Sequence, residues 1–494
     1  MKKNILLLSF LISSYTLFAQ NKDTTFVYKK RVLESAEIEF LGSYYTQEGV
    51  HSSVNGGIGT EELQNYTGSV ILSIPLNDDD ILTIDAGFSA YTSASSSNIN
   101  PFMSMEIATG TGASKKAWTP NIEKSQYKDG YDQYATTETV HYGSPWIAST
   151  GASRKDVLKS ININYAHNSQ ERNTIWNING NASKEYDYSS LGLGAGIAKL
   201  FNDKNTEITI KASAYFDKWK AIYPTELHEY ALYGLNFKNT GYFRNVDIFD
   251  QNGNPSIGYL PVAFTEFDNV NRNSYSFSVG LSQVVTKKLQ ISLFADILYQ
   301  EGLLSTPYHR VYFADKANYY IGRVKHIPVY TSPINTEIFR LSDDVERLPD
   351  SRFKIPLGMR LNYYINDYFI ARTYYRFYAD SWNLTAHTFS LEIPVKLSQQ
   401  FTLLPMYRFY TQKQAKYFAP FEAHYSYEKY YTSDYDLSSF DSHQYGMGIS
   451  YTDILANTKL LSFGFKSIEL RYNKYERSDS LEAHILSLGI KFVQ

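Results

Sequence analysis

Apolar and polar positions alternate along most of this chain with a period of two. Near its end Leu486, Leu488, Ile490 and Phe492 are separated by Ser487, Gly489 and Lys491. A strand points successive side chains to opposite faces, so this stretch has one greasy side and one polar or small side. The same rhythm predicts strands near 36–44, 66–76, 82–90, 160–165, 176–182, 191–197, 208–216, 275–281, 289–297, 353–363, 369–377, 389–395, 401–409 and 445–451. A further strand opens with Leu461, Phe463 and Phe465 and slips register near Lys466, as a bulge does.

Counting the closing stripe, the pattern predicts about sixteen strands, with fourteen and eighteen as the neighbouring even numbers. Connections alternate too. Short turns fall at Asn77, His167–Asn173, Asn202, Thr286, Asn366, Ser398 and Asn457. Longer segments fill the other junctions, near 46–65, 92–156, 219–272, 300–350 and 412–442. A soluble sandwich does not require that alternation. A transmembrane antiparallel β-barrel does, with short periplasmic turns and long extracellular loops. Rings at strand ends fit headgroup depth: Tyr44, Tyr91, Trp219, Tyr299, Trp382 and Tyr410 outside, and Tyr363, Tyr368, Phe401 and Phe492 at the periplasmic end. The plain alternative is that tyrosine is a good strand former.

Mean hydropathy is only -0.35, and no run of about 18 apolar residues follows the amino terminus. That rules out a helical span but not a barrel, in which every second residue meets lipid. Lys2 and Lys3 precede the apolar run Ile5–Phe18, and Ala19-Gln20 offers a cleavage point. Residues 1–19 therefore read as a signal peptide rather than an anchor helix. A periplasmic segment follows over 20–35, and one barrel occupies 36–494, in the outer membrane of a Gram-negative bacterium. The chain has no cysteine, so disulfides and thiolate chemistry are out. A net charge of -3 gives no case for nucleic acid.

A barrel of this size encloses water unless loops fill it, so its inward positions carry any chemistry. Those expected to line the pore include Arg352, Lys354, Arg360, Arg372, Tyr374, Arg376, Lys396 and Arg408, opposed nearby only by Glu392. Elsewhere Glu37, Glu39, Asp85, Asp217 and Asp296 are expected to face inward, which predicts a basic wall facing an acidic one. Opposed rows would orient polar solutes, and the ladder Arg372, Tyr374, Arg376, Tyr378 offers successive weak anion sites. The favoured function is a porin-like channel for a small polar or anionic solute. Against it stands an interior held shut by Arg–Glu pairs. A second class of function is a scaffold barrel docking a periplasmic or surface protein, motivated by tyrosine-rich loops such as Tyr430, Tyr431 and Tyr435. Either way the partners include outer-membrane lipid and, during biogenesis, the barrel-assembly machinery. The segment Tyr91–Asp156 is expected either to enter the bore or to cap it.

No enzyme is predicted. Gly192, Gly194 and Gly196 fall at a period of two with no helix after them, so close packing explains them better than phosphate binding. His424 and His443 show no metal-ligand spacing. No cofactor and no metal are expected. An outer-membrane hydrolase is a third reading without an assembled site.

Three stretches carry a resemblance: Ser149-Thr150-Gly151-Ala152-Ser153-Arg154-Lys155-Asp156-Val157, Leu304-Ser305-Thr306-Pro307-Tyr308-His309-Arg310-Val311-Tyr312-Phe313, and Arg347-Leu348-Pro349-Asp350-Ser351-Arg352. They are similar to a Bacteroidota family catalogued as a domain of unknown function, number three-five-seven-zero. The resemblance covers nearly the whole mature chain. It implies an outer-membrane location and a β-rich fold, and no activity or catalytic residue.

Overall fold

The computed structural model describes residues 31–92, 121–124, 139–142, 155–331, 338–453, 458–460 and 462–494. The expected signal peptide and most of the 20–35 segment lie outside the described residues. So does most of Tyr91–Asp156, apart from a short antiparallel pairing of 121–124 with 139–142.

Sixteen antiparallel strands close into a barrel. They are β1 (Glu37–Glu48), β2 (Leu63–Pro75), β3 (Asp80–Thr92), β4 (Lys155–Asn168), β5 (Thr174–Lys184), β6 (Tyr188–Phe201), β7 (Thr206–Trp219) and β8 (Asn271–Thr286). The ring continues with β9 (Leu289–Gly302), β10 (Ser351–Tyr364), β11 (Ile370–Asp380), β12 (Thr385–Glu392, resuming at Val395–Lys396), β13 (Phe401–Leu403, resuming at Met406–Lys413), β14 (Phe440–Thr452), β15 (Phe463–Arg477) and β16 (Glu482–Val493). β12 and β13 break at Pro394 and Pro405, which have no N–H to give the ladder. β16 returns to β1 with Ile490 opposite Phe40 and Leu486 opposite Tyr44, so no sheet edge remains.

Register carries the outward stripe unbroken around the ring. Phe40 pairs with Val70, Val70 with Ala86, Ala86 with Ile161, and Ile161 with Ala182. These outward side chains are open to the surroundings: Leu193 is 57% exposed and Ile178 54%. Such a band is stable only against lipid. The bulge anticipated at Lys466 is present, as a register shift between Phe465 and Ser467.

The short turns read from the sequence that fall among the described residues lie at one end; Asn457 lies outside the described residues. The long segments lie at the other and fold into a body of their own. It contains helix α1 (Thr225–Tyr233), a three-stranded sheet of Ile248–Asp250, Tyr319–Gly322 and Ile338–Arg340, and the pairing of Arg310–Val311 with Asp344–Val345. Its core is conventional: Phe237, Phe243, Ile321, Phe339 and Leu341 pack together out of contact with solvent. The buried Arg310 is paired, which offsets the cost of taking its charge out of water. Arg310 Nε donates to Glu226 Oε1 at 2.8 Å with both side chains fully buried, and Ser342 Oγ donates to the same oxygen at 2.7 Å.

Candidate functional site: the inner wall and its mouth

The pleat that sends apolar residues outward sends the opposite set inward. Arg360 pairs with Tyr374, Arg376 with Gly358 and Thr388, and Arg408 with Ser390 and Gln444. Small or neutral partners leave room beside each guanidinium. The Phe294 ring lies over Gly358, where a Cβ would come within 2.0 Å of it. Phe294 in turn stacks on Tyr374 at 6.0 Å between centroids. The Arg360 guanidinium sits 5.7 Å from Tyr374 and 5.8 Å from Phe294, within cation–π range.

The expected cations divide into two sets. Arg352 is tied to Asp380 by Nε at 2.9 Å and Nη2 at 2.5 Å, and it lies 4.1 Å over the Trp382 ring, near the loop end. Lys354 stands beside it, opposite Asp380 in register but without a carboxylate within ion-pair distance among the described residues. Arg372 donates to Glu392 at 2.9 Å, and Arg471 reaches the other oxygen of that carboxylate at 2.6 Å. In contrast Arg360, Arg376, Lys396 and Arg408 have no carboxylate within ion-pair distance among the described residues. Of these, Arg360, Lys396 and Arg408 are exposed. Open cations thus sit in the middle and lower parts of β10–β13.

The continuous acidic wall expected across from them is absent. Glu37 is neutralised by Lys491 at 2.8 Å. Asp217 is buried and held by Arg272 at 2.8 Å. Asp296 is on β9, next to the basic strands rather than facing them. Glu39 and Asp85 remain, on separate strands. Much of the facing wall is neutral. Asn177, Asn179 and Asn181 of β5 lie against Gly196, Gly194 and Gly192 of β6, where any Cβ would sit within 2.6 Å of an amide oxygen. The glycine run is therefore a close-packing device.

The loop body seats on the inner rim. Tyr378 and Tyr410, both inward, pack with Trp382, Leu384 and Leu437. Gln412 Nε2 donates to the Asp436 and Ser438 carbonyls at 2.9 and 2.6 Å. Arg477 Nη1 donates to Asp436 at 2.6 Å. Arg310 donates to the Val54 carbonyl, so the β1–β2, β7–β8 and β9–β10 connections meet, and His51 stacks on Tyr435 of the β13–β14 connection. Connections from across the ring can converge this way only over the mouth.

This changes the reading of the upper aromatics. Tyr44 and Tyr299 face outward, as expected of a headgroup belt. Tyr91, Trp219 and Tyr410 sit at the same end but on the inner face, and Trp382 is buried beneath the loops. At the opposite end Tyr363, Tyr368 and Phe401 are exposed, and Phe492 packs edge-on to Phe40 on the outer face. The tyrosine-rich loops pack on themselves: Tyr417 meets Tyr430, Phe418 meets Tyr435, and Phe313 meets Tyr431. His424 lies in the loop body, bonded to Glu428, while His443 is on the outer stripe of β14, bonded to Tyr407.

Sequence reasoning missed Arg471 because the bulge inverts face parity. Counted from Phe465 it points out; counted from the restarted stripe Ile468, Leu470, Tyr472 it points in. Asp380 was missed at a strand end, where alternation gives way to turn signals, and the Lys491–Glu37 pair was missed because it forms only when the last strand closes on the first.

Similar folds occur among solved outer-membrane proteins. A bacterial polysaccharide outer membrane secretin matches at TM-score 0.40 and 10% identity, covering 94% of this chain and 99% of that one. A BenF-like porin from Pseudomonas fluorescens Pf-5 gives 0.35 at 8% identity, covering 94% and 100%. OpdK of Pseudomonas aeruginosa with vanillate gives 0.34 at 8% identity, covering 94% and 99%. Likenesses of that size support nothing about what passes through this chain; the barrel rests on its own strand pairing. No curated protein matches the sequence. A family model does match, over residues 7–485, and the chain belongs to that family, described as "Protein of unknown function (DUF3570)".

Proposed function

We propose that this protein is an outer-membrane channel of a Gram-negative bacterium, passing a small polar or anionic solute along the basic inner wall, with the loop body restricting entry. The observation that carries the reading is the group of inward cations in the middle and lower parts of β10–β13 without carboxylate partners among the described residues: Arg360, Arg376, Lys396 and Arg408. A wall built only for closure would pair such groups, since an unpaired charge in a dry interior costs several kcal/mol. The exposed Arg360 beside Tyr374 and the half-exposed Arg376 beside Tyr378 instead give weak, repeated contacts from which an anion can leave. Arg372, held by Glu392, borders the same row. On this reading outer-membrane lipid surrounds the wall, and the barrel-assembly machinery inserts it.

Planar-bilayer recording tests the proposal. Discrete openings with anion preference are expected, and neutralising Arg360, Arg376 and Arg408 to Gln together should shift the reversal potential towards cations. Absence of openings from wild type, or an ion preference unchanged in the triple variant, would overturn it. The scaffold reading draws on apolar residues exposed on the loop body, Ile257 and Leu235 among them. A stoichiometric partner cross-linked in intact membranes would favour it over conduction.

A further inference from the structure

Three polar side chains converge in the loop body, with no Lys or Arg among the described residues paired to the two carboxylates. His309 stands just before Arg310–Val311, whose pairing with Asp344–Val345 brings Glu346 alongside. The Glu346 backbone N–H donates to the His309 carbonyl at 2.8 Å. Asp434 arrives from the β13–β14 connection. One ligand atom from each of the three lies within 4.8 Å of the others. His309 Nδ1 is 3.8 Å from Glu346 Oε2 and 3.9 Å from Asp434 Oδ2.

Those separations are too long for hydrogen bonds. They suit ligand atoms around one ion: two bonds of about 2.0–2.2 Å to a common centre need a closure of only about 0.4 Å. His309 Nδ1 is buried and has no hydrogen-bond partner among the described residues. The other ring nitrogen, Nε2, lies 3.1 Å from Ser53 Oγ. If Nε2 carries the proton and donates it there, the bare Nδ1 lone pair is aimed at two carboxylates. Such an arrangement is repulsive until a proton or a metal ion enters it. Both carboxylates are also braced. Glu346 Oε1 accepts from the Thr306 N–H at 2.7 Å, and Glu346 Oε2 from Thr432 Oγ1 at 2.5 Å. Asp434 Oδ1 accepts from the Asp436 N–H at 3.0 Å. Outer partners of this kind orient metal ligands. No Lys or Arg lies within ion-pair distance of Glu346 or Asp434 among the described residues.

We infer that His309, Glu346 and Asp434 form a divalent-metal site that fastens the mouth loops together. One imidazole nitrogen with two carboxylate oxygens fits a first-row transition ion such as Zn²⁺ better than Ca²⁺, which prefers an all-oxygen cage. Through Ser53 the site also holds the β1–β2 connection. The ion therefore joins segments attached to distant sectors of the ring. The inference does not depend on what the barrel conducts.

The test uses the full mature barrel in detergent, stripped with EDTA and dialysed, then titrated calorimetrically with ZnCl₂ or CaCl₂. One Zn²⁺ per chain is expected, with much weaker Ca²⁺ binding, and zinc should slow tryptic cleavage of the loops. His309→Gln and Asp434→Asn should abolish stoichiometric uptake while retaining strand-type circular dichroism and heat-modifiable migration. Ser53→Ala removes only the outer partner and should weaken zinc binding about 10–100-fold; it serves as the readout if a ligand variant misfolds. No zinc uptake by the folded wild type, with His309 titrating as a proton-bridged imidazole, would overturn the site. So would uptake unchanged in His309→Gln, which would mark adventitious histidine binding.

Discussion

The wall and the loop body use the same apolar residue types in opposite ways. Leu193 and Ile178 in the wall stand more than half exposed, while Leu227 and Phe237 in the loop body are fully buried. Charge is reversed as well: Arg408 opens into the lumen, whereas Arg310 is sealed against Glu226. The difference is solvent. The wall has lipid outside and water inside, so burial of its greasy face is completed by the membrane. The loop body has water on its outside and must hide its apolar residues within itself.

That contrast can be broken deliberately. The largest effect is expected from Phe237→Ala, which empties a fully packed position and should cost the loop body about 3–5 kcal/mol. Proteases should then cut the 220–270 and 303–350 segments quickly while heat-modifiable migration of the wall persists. Loss of the barrel instead would mean the two regions fold as one unit. Next is Leu193→Arg, at the middle of β6 on the outward face. An arginine near the bilayer midplane should cost about 2–4 kcal/mol and reduce the folded fraction in liposomes; on a water-facing surface the same change would be nearly silent.

A third effect depends on pH. Burial, reinforced by the Asp436 charge, raises the Glu61 carboxyl in the β1–β2 connection from 4.5 to about 8. Burial raises Asp343 to about 6. A raised acid contributes fully below its unfolded pKa, and that contribution is lost as pH climbs through the folded value. Loop cleavage should therefore be faster at about pH 9 than at about pH 5, with Glu61→Gln flattening the profile. The smallest effect is expected at Arg31–Asp78, a pair at 2.9 Å with both side chains half exposed. Arg31→Ala should change wall stability by no more than about 0.2–1 kcal/mol, read from urea midpoints in micelles.

Legibility followed the same division. Sixteen strands, their faces and the short-turn end were readable because a membrane wall imposes strict alternation. The loop body has no period to read; Phe237, Ile321 and Leu341 come from segments without a repeating stripe. Errors in the wall came where that solvent contrast fails. Near the mouth the inner face is covered by loops, so Tyr91, Trp219 and Tyr410 are aromatic without facing lipid. At the bulge one extra residue turns Arg471 from the outside to the inside.

Alternation alone was enough to make this chain a closed cylinder with a greasy exterior, because side-chain direction in a strand is set residue by residue. Which inward charges find partners was decided only by closure. Glu392 takes Arg372 and Arg471 from strands that are far apart in the chain, and Lys491 meets Glu37 only because the last strand returns to the first. The convergence of His309, Glu346 and Asp434 belongs to the tertiary structure for the same reason: long-range electrostatics depends on which segments the fold brings together, and spacing along the chain carries no record of it.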